Sequence, residues 1–188
     1  MKKIYIVTTF TGTLLSCLIR NISKTPYAHV SRALNEYLRP MYSFGRLNPK
    51  TPIFAGFVEE NINEGLYAIR TNTMCRVYSL MVTERQYEKL KENIDNVSIN
   101  RKQYVYDVKA LVYLSVNKPR KKDYKYVCSH FVADMLKRSE INILDKEPHQ
   151  VRPNDFYDLC DLELEYEGLL SNYYEKDKVH NIGDVVKI

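Results

Sequence analysis

The sequence contains none of the cysteine patterns that hold a metal ion or build a disulfide framework. Its four cysteines are scattered, with no CxxC pair and no short regular spacing. This arrangement excludes a zinc knuckle and a compact disulfide-stapled fold. We therefore expect a reduced, cytoplasmic protein that uses no metal or organic cofactor.

Long apolar runs are also missing. The first residues, Met1-Lys2-Lys3-Ile4-Tyr5-Ile6-Val7, imitate the charged start of a signal peptide, but threonines interrupt the apolar stretch and no small-residue cleavage site follows cleanly. We interpret this segment as a first strand. No run reaches the length needed to cross a bilayer, so any membrane contact is expected to be peripheral.

Charge of one sign is in only slight excess. The formal net charge is +5, spread along the chain, and the densest basic cluster is Arg120-Lys121-Lys122. A nucleic-acid-binding protein needs a broader basic face or a recognisable reading motif. The sequence shows neither, so we expect no nucleic-acid partner.

The sequence does contain enough apolar material for one core. It has 188 residues, of which 45% are hydrophobic. This suffices for one domain of ordinary size and is too little for two comfortable domains. We expect a single domain over residues 1–174 and a polar, loosely held tail over residues 175–188.

Hydrophobic periodicity predicts a mixture of strands and helices, the α+β class. Strands are expected at 3–8, 27–34, 41–46, 54–59, 75–82 and 162–169, and helices at 13–21, 83–94, 128–139 and 156–159. Thr83 and Gln86 have the spacing of a capping box at the start of the second helix. Residues 104–116 fit a helix by spacing and a strand by their β-branched content.

Cys128 lies where a loop rich in Lys and Tyr gives way to an apolar-periodic run. A thiol in the first turn of a helix faces unpaired backbone N–H groups and the positive end of the helix dipole, which favour a thiolate nucleophile. The alternative is a packing role, because free cysteine is among the most buried residue types. On position alone, the packing role is the better interpretation.

A catalytic cysteine needs a base within hydrogen-bonding reach. His130 is two helical positions from Cys128 and points away from it. His149 and His180 belong to a loop and to the polar tail. His29 lies within a predicted strand, where a rigid scaffold would hold its imidazole, so it is the best candidate base.

Three segments, taken in order, resemble a known superfamily. They are Tyr27-Ala28-His29-Val30-Ser31-Arg32-Ala33-Leu34, Met41-Tyr42-Ser43-Phe44-Gly45-Arg46 and Tyr126-Val127-Cys128-Ser129-His130-Phe131-Val132. This order is similar to that of the circularly permuted branch of the NlpC-type papain-like superfamily, which includes YiiX-like and lecithin:retinol acyltransferase-like proteins. In that branch a His-bearing strand precedes the Cys-bearing helix. The similarity extends to Thr11-Gly12-Thr13-Leu14-Leu15-Ser16 and to Gly56-Phe57-Val58-Glu59.

The resemblance implies a permuted papain-like fold, in which an antiparallel sheet packs against helices and the nucleophile lies at a helix N-terminus. It implies that Cys128 is the nucleophile and His29 the general base of an acyl-enzyme mechanism. The implied activity is that of a cysteine hydrolase, either an amidase or peptidase, or an acyl-ester hydrolase or acyltransferase. The implied substrate is an amide or ester of a peptide, a cell-wall fragment or a lipid.

The third catalytic position departs from the pattern of the family. Its members often have a His, Glu, Asp or Asn in the strand beside the catalytic histidine, where this chain offers Tyr42 or Ser43. Side-chain alternation lets one of the two face His29, and we favour Ser43. Because a hydroxyl stabilises an imidazolium less than a carboxylate does, the site could be a dyad. The chain could also be an inactive papain-like binding module.

The candidates for substrate contacts are Tyr126, Thr13, Arg46 and Glu59. Tyr126 and Tyr124 precede the nucleophile and are expected to line a cleft. The backbone N–H of Cys128 is the natural oxyanion donor, and Thr13 or Thr11 is a candidate for the second. Arg46 and Glu59 lie at strand ends, where a surface ion pair is the alternative to a substrate contact.

Overall fold

Eight strands form a large sheet and a small one. The computed structural model describes residues 1–13, 16–17, 20, 26–48, 51–116, 118–157 and 159–175. The strands are β1 (Lys2–Phe10), β2 (His29–Ala33), β3 (Met41–Asn48), β4 (Thr51–Glu60), β5 (Met74–Val82), β6 (Val105–Tyr106), β7 (Lys125–Tyr126) and β8 (Glu163–Leu169). Six of them make an antiparallel sheet in the order β4-β3-β2-β1-β5-β8, and β6 pairs with β7 in parallel.

Four α-helices have their bounds within the described residues. They are α1 (Gly65–Ile69), α2 (Glu84–Ile99), α3 (Val108–Ser115) and α4 (Cys128–Arg138). Short 3₁₀ turns cover Arg101–Gln103, Pro148–Gln150, Pro153–Phe156 and Leu170–Glu175. The α+β class expected from the sequence is confirmed. None of the helices described is both long and apolar enough to cross a membrane.

The capping box at the start of α2 is confirmed. The Gln86 N–H donates to the Thr83 hydroxyl at 3.2 Å, and the Thr83 N–H donates to Gln86 Oε1 at 2.9 Å. The helix continues past the predicted end at Ile94 to Ile99, because Val97 extends the buried stripe of Leu90 and Ile94. The ends of helices are the least certain part of such a prediction.

The ambiguous segment 104–116 divides into a strand and a helix. β6 comes first, and α3 begins after Asp107, whose carboxylate accepts from the Ala110 N–H at 3.1 Å. Arg120 also donates to this carboxylate at 2.9 Å. Asp107 is therefore the N-cap that ends the strand and starts the helix.

Two other expectations need comment. Residues 152–155, whose Pro and Asp predict a helix start, form a 3₁₀ turn, Pro153–Phe156, in which Asp155 accepts from the Arg152 N–H at 2.8 Å. The short helix expected to follow at 156–159 does not form over the described residues of that range. Much of the predicted helix at 13–21, and the tail from 176 onward, lie outside the described residues. The remaining strands agree with their predicted positions to within a few residues.

The sheet is covered on both faces. One face, with Ile4 and Ile6 of β1, packs against α2 and α4, and the other, with Tyr5 and Val7, packs against α1 and the Leu170–Glu175 turn. Adjacent strand residues point to opposite faces. This two-sided burial explains why β1 has four consecutive apolar residues, Ile4 to Val7, where a half-exposed strand would alternate.

Aromatic packing fixes α4 above β3 and β4. The ring of Phe131 in α4 lies 5.1 Å from that of Phe44 and 5.7 Å from that of Phe57, measured between ring centroids. Such contacts add to the free energy gained by burying the rings. Phe131 is one turn from Cys128, so this packing also determines where the first turn of α4 meets the sheet.

Arg32 is a buried charge that destabilises this core. It lies on β2 between Ile6 and Tyr42, is fully buried, and has no hydrogen-bond partner for its guanidinium among the described residues. Burial lowers its pKa to about 9. A buried cation without a partner destabilises the folded state, because the charge loses its hydration.

Replacing Arg32 with methionine is therefore expected to stabilise the protein. Arg32→Met keeps most of the side-chain volume and removes the desolvation cost, so the free energy of unfolding at pH 7 should rise by about 1–3 kcal/mol. Urea denaturation followed by circular dichroism measures the change. Arg85→Met, at an exposed arginine of α2, is the matched control and should change little. A marked loss of stability in Arg32→Met would contradict the prediction.

Candidate active site

The imidazole of His29 is held by a carboxylate. His29 Nε2 donates to Glu60 Oε1 at 3.0 Å and lies 3.3 Å from Oε2. His29 is the first residue of β2, and Glu60 is the last residue of β4, two strands away in the sheet. The two side chains are 20% and 17% exposed, so their charges interact in a poorly hydrated environment.

Gly45 of β3 leaves room for this contact. A Cβ atom at Gly45 would lie 3.6 Å from His29 Cε1 and 3.7 Å from Glu60 Oε1. Glycine thus keeps the space above β3 free, and any longer side chain would compete with the imidazole and the carboxylate for it. This explains how a residue of β4 reaches a residue of β2 across the strand between them.

Three hydroxyl groups complete the surroundings of Glu60. Ser31 donates to Glu60 Oε2, and its Oγ also lies 3.1 Å from His29 Nε2. Tyr67 of α1 donates to the same carboxylate oxygen at 3.4 Å, and Thr9 lies 3.3 Å from the Tyr67 hydroxyl. The carboxylate therefore accepts from several donors, as a buried charge requires.

Each member of this pair favours the charged form of the other. Burial disfavours the imidazolium, but the charge of Glu60 and the Cys128 side chain outweigh it and raise the pKa of His29 well above its ordinary value. Burial likewise disfavours the Glu60 carboxylate, but His29, Ser31 and Tyr67 outweigh it and lower the pKa of Glu60.

Cys128 begins α4, close enough to the imidazole of His29 for its side chain to help raise the pKa of that ring. The first α-helical hydrogen bond runs from the Phe131 N–H to the Val127 carbonyl at 3.0 Å. The backbone N–H groups of the preceding turn, including that of Cys128, therefore have no carbonyl within the helix. Sequence reasoning singled out Cys128 and His29, and the structure brings these two residues together.

A cavity of about 220 Å³ lies beside this pair. Its polar lining consists of Thr11, Thr13, Ser16, His29, Arg46, Glu60, Tyr67 and Tyr106. The Cys128 side chain is not part of the lining, and the residue is 3% exposed. His29, whose pKa the Cys128 side chain helps to raise, does line the cavity, and so does Tyr106.

The orienting residue differs from the one favoured by sequence reasoning. The Ser43 hydroxyl is fully buried and donates to the Val30 carbonyl at 2.7 Å, and the alternative, Tyr42, stacks on Phe57. Glu60 makes the contact with His29 instead. The sequence argument considered the strand next to β2, whereas Glu60 reaches over from the strand beyond it.

Glu59 was the expected substrate contact, and its neighbour Glu60 lines the cavity. Glu59 accepts from the Ser98 hydroxyl of α2 at 3.0 Å. Residues 59 and 60 are adjacent in β4, so their side chains leave opposite faces of the sheet. Two adjacent acidic residues at the end of a predicted strand could have indicated the carboxylate partner of His29. Because adjacent side chains leave opposite faces of a sheet, one of the two had to lie on the same face as His29.

The other candidates for substrate contacts divide between the cavity and the core. Thr13 and Arg46 both line the cavity, and Arg46 Nη2 donates to Thr13 Oγ1 at 2.7 Å. Tyr126 lies in the core, where it donates to Asp134 at 2.6 Å and accepts from Arg138 at 3.0 Å. Tyr106, which sequence reasoning did not single out, lines the cavity.

Among the described residues, the other two histidines, His130 and His149, make their ring contacts away from Cys128. The ring of His130 packs on Tyr126, with the centroids 4.5 Å apart, and burial lowers its pKa to about 4. The ring of His149 lies 6.4 Å from that of His130. His180 lies outside the described residues.

Comparison with known proteins adds no relative. No protein-family model matches the chain, and a search of curated proteins finds no similar sequence. Within the described ranges, no group of three or more His, Cys, Asp or Glu side chains has the arrangement of a metal site.

Removing the carboxylate should lower the pKa of His29. In Glu60→Gln the opposing charge is lost while burial remains, so we expect the pKa of His29 to fall well below its wild-type value. Histidine ring resonances followed by NMR across a pH series measure it, with the His130 resonances as an internal reference. Glu59→Gln is the matched control and should leave the titration of His29 unchanged. An unchanged titration in Glu60→Gln would contradict the assigned contact.

The same pair makes stability depend on pH. Because folding raises the pKa of His29, the protonated ring adds to the free energy of unfolding. This contribution is complete below pH 6.5 and is lost as pH rises through the folded-state pKa of His29. Because folding lowers the pKa of Glu60, its carboxylate also adds to the free energy of unfolding. This contribution is complete above pH 4.5 and is lost as pH falls through the folded-state pKa of Glu60. We therefore expect Glu60→Gln to destabilise the protein most between pH 4.5 and pH 6.5, by about 1–3 kcal/mol. Urea denaturation at pH 5.5 and 9.5 measures the difference, and an equal loss at both would contradict it.

Proposed function

We propose that this protein is a cysteine hydrolase or acyltransferase with a permuted papain-like fold. Cys128 is the nucleophile, His29 the general base and Glu60 the residue that orients the imidazole. The observation that supports this assignment is the chain of contacts from the Cys128 thiol to His29 and from His29 to Glu60. A nucleophile, a base and a group that orients the base are the three parts that such catalysis requires.

The proposed reaction has two steps. His29 holds the proton lost by the thiol, and the Cys128 thiolate attacks the substrate carbonyl while the Cys128 N–H stabilises the oxyanion. The His29 imidazolium then protonates the departing amine or alcohol, which leaves a thioester on Cys128. In the second step His29 takes a proton from water, or from an acceptor alcohol or amine, which attacks the thioester and restores the thiol.

The carboxylate of Glu60 has a defined part in this cycle. It stabilises the imidazolium whenever His29 carries the proton, and it holds the ring in one orientation. Ser43 was expected to supply a neutral hydroxyl for this purpose. With Glu60 in place, a missing carboxylate no longer favours an inactive protein.

The substrate is proposed to be an amide or ester of a peptide, a cell-wall fragment or a lipid. The order of the elements supports a permuted papain-like arrangement, because the His-bearing strand β2 precedes the Cys-bearing helix α4. The His-bearing strand belongs to an antiparallel sheet against which α4 packs. The cavity beside His29 is large enough for the group around a scissile carbonyl, not for an entire polymer.

A binding module without turnover is the rival function. The low exposure of Cys128, and its absence from the cavity lining, favour that alternative. In a binding module the thiol would be a packing residue, and His29 and Glu60 would contact a ligand without forming a covalent intermediate. Reactivity of the thiol separates the two functions.

Alkylation is expected to be selective for Cys128 and to depend on His29. At about pH 6.5 an ordinary thiol reacts slowly, whereas a thiolate paired with an imidazolium reacts with iodoacetamide roughly 10-fold faster or more. Peptide mass spectrometry over time measures the rate at each cysteine, with the exposed Cys160 as the internal comparison. In His29→Ala the rate at Cys128 should fall to that of an ordinary thiol or lower. A Cys128 that resists in both proteins would support the binding module.

Covalent turnover is the second test of the proposal. A p-nitrophenyl ester should acylate Cys128, and the released nitrophenol should show a burst followed by slower turnover. Intact-mass measurement should detect the acyl adduct in the wild type and none in Cys128→Ser. In Glu60→Gln we expect acylation slower by about 10–100-fold, with Glu59→Gln near wild type. Hydrolysis that persists in Cys128→Ala would contradict the assigned nucleophile.

A further inference from the structure

Arg46 presents a cation to the cavity with no carboxylate bound to it. Among the described residues, its one side-chain hydrogen bond runs from Nη2 to Thr13 Oγ1 at 2.7 Å, and no acidic side chain forms an ion pair with it. Burial lowers the pKa of Arg46, and the nearby charge of Arg70 lowers it further. A partly buried guanidinium next to a second cation is a charge that an anion would stabilise.

Two hydroxyl groups, those of Thr11 and Thr13, line the cavity beside Arg46. Thr13 Oγ1 accepts from Arg46 Nη2 and from the Ser16 N–H at 3.3 Å, which uses both of its lone pairs. Its proton is then available for Thr11 Oγ1, at 3.3 Å. Thr11 accepts in that bond, so its own hydroxyl proton remains a donor. Arginine and threonine thus form a lining made of donors, the requirement for recognising an anion.

The acidic residue of the same cavity does not neutralise Arg46. Glu60 is engaged by His29, Ser31 and Tyr67, and its charge is balanced by the imidazolium. Arg46 is left as the unbalanced charge of the lining. His29, the proposed base for Cys128, lines the same cavity as Arg46, Thr11 and Thr13. The donor lining therefore borders the proposed catalytic pair.

We propose that Arg46 and Thr11 form a subsite for an anionic group of the substrate, a carboxylate or a phosphate. The inference rests on the proposed function, because it places that group on the substrate whose carbonyl Cys128 attacks. The substrate class is then an amide or ester that carries a negative charge near the scissile bond. A guanidinium binds either anion through paired N–H donors.

Two alkylating reagents of nearly the same size test the subsite. Iodoacetate carries the carboxylate and iodoacetamide is neutral, and with each the thiolate sulfur forms a bond to carbon as iodide leaves. We expect Arg46→Met to lower the ratio of the iodoacetate rate to the iodoacetamide rate at Cys128 on the order of tenfold. Arg46→Lys should retain part of the preference, because the charge is kept and the paired donors are lost. Arg85→Met, at an exposed arginine, should leave the ratio unchanged.

Protection experiments identify the anion. N-acetyl-alanyl-alanine with a free carboxylate is compared with its C-terminal amide, and glycerol 1-phosphate is compared with glycerol, as inhibitors of alkylation by iodoacetate. Protection by the charged member of one pair, lost in Arg46→Met, assigns the subsite to that anion. If neither charged compound protects Cys128, the proposed subsite is wrong. It is also wrong if Arg46→Met leaves the ratio of the iodoacetate rate to the iodoacetamide rate unchanged.

A measurement without the thiol separates this inference from the proposed function. In Cys128→Ser, acetate and inorganic phosphate are titrated while the backbone amide resonances of Thr11 and Thr13 are followed by NMR. Shifts that saturate, and that disappear when Arg46→Met is added, support the subsite even if Cys128 proves unreactive. Absence of any shift dependent on Arg46 overturns the subsite and leaves the assignment of Cys128 and His29 intact.

Discussion

The ion pair between His29 and Glu60 is the interaction on which the site depends. It joins β2 to β4 across β3, at 3.0 Å and with both side chains largely buried. Neither charge would be stable alone in that environment, because burial opposes both. Together, and with the hydroxyls of Ser31 and Tyr67, they form a fully hydrogen-bonded cluster. The orientation of the imidazole toward Cys128 follows from this cluster.

The position of the Cys128 thiol depends on a different interaction, the aromatic packing of α4. Phe131 lies against Phe44 and Phe57, one turn beyond Cys128, so the core determines where the helix begins relative to the sheet. Gly45 leaves open the space in which the imidazole and carboxylate meet. Packing on one face of the sheet and a polar cluster at the strand ends thus combine to place the thiol beside the base.

The sequence allowed a good prediction of the elements and a partial one of the site. The capping box of Thr83 and Gln86 was correct in detail, because its two hydrogen bonds are local. The role of Ser43 was assigned by considering the neighbouring strand, and its hydroxyl instead satisfies the Val30 carbonyl. Glu60 was missed because a long side chain crosses a glycine to a strand that is not its neighbour.

The sequence by itself determined local properties of this protein: most of the strands and longer helices, which residues share a face, and that Cys128 lies in the first turn of a helix. These follow from periodicity and capping, which act over a few residues. The tertiary structure alone decided that Glu60 and not Glu59 faces His29, and that Tyr106 and not Tyr126 borders the cavity. Such choices depend on strand register and helix packing, which bring together residues that are distant in the chain.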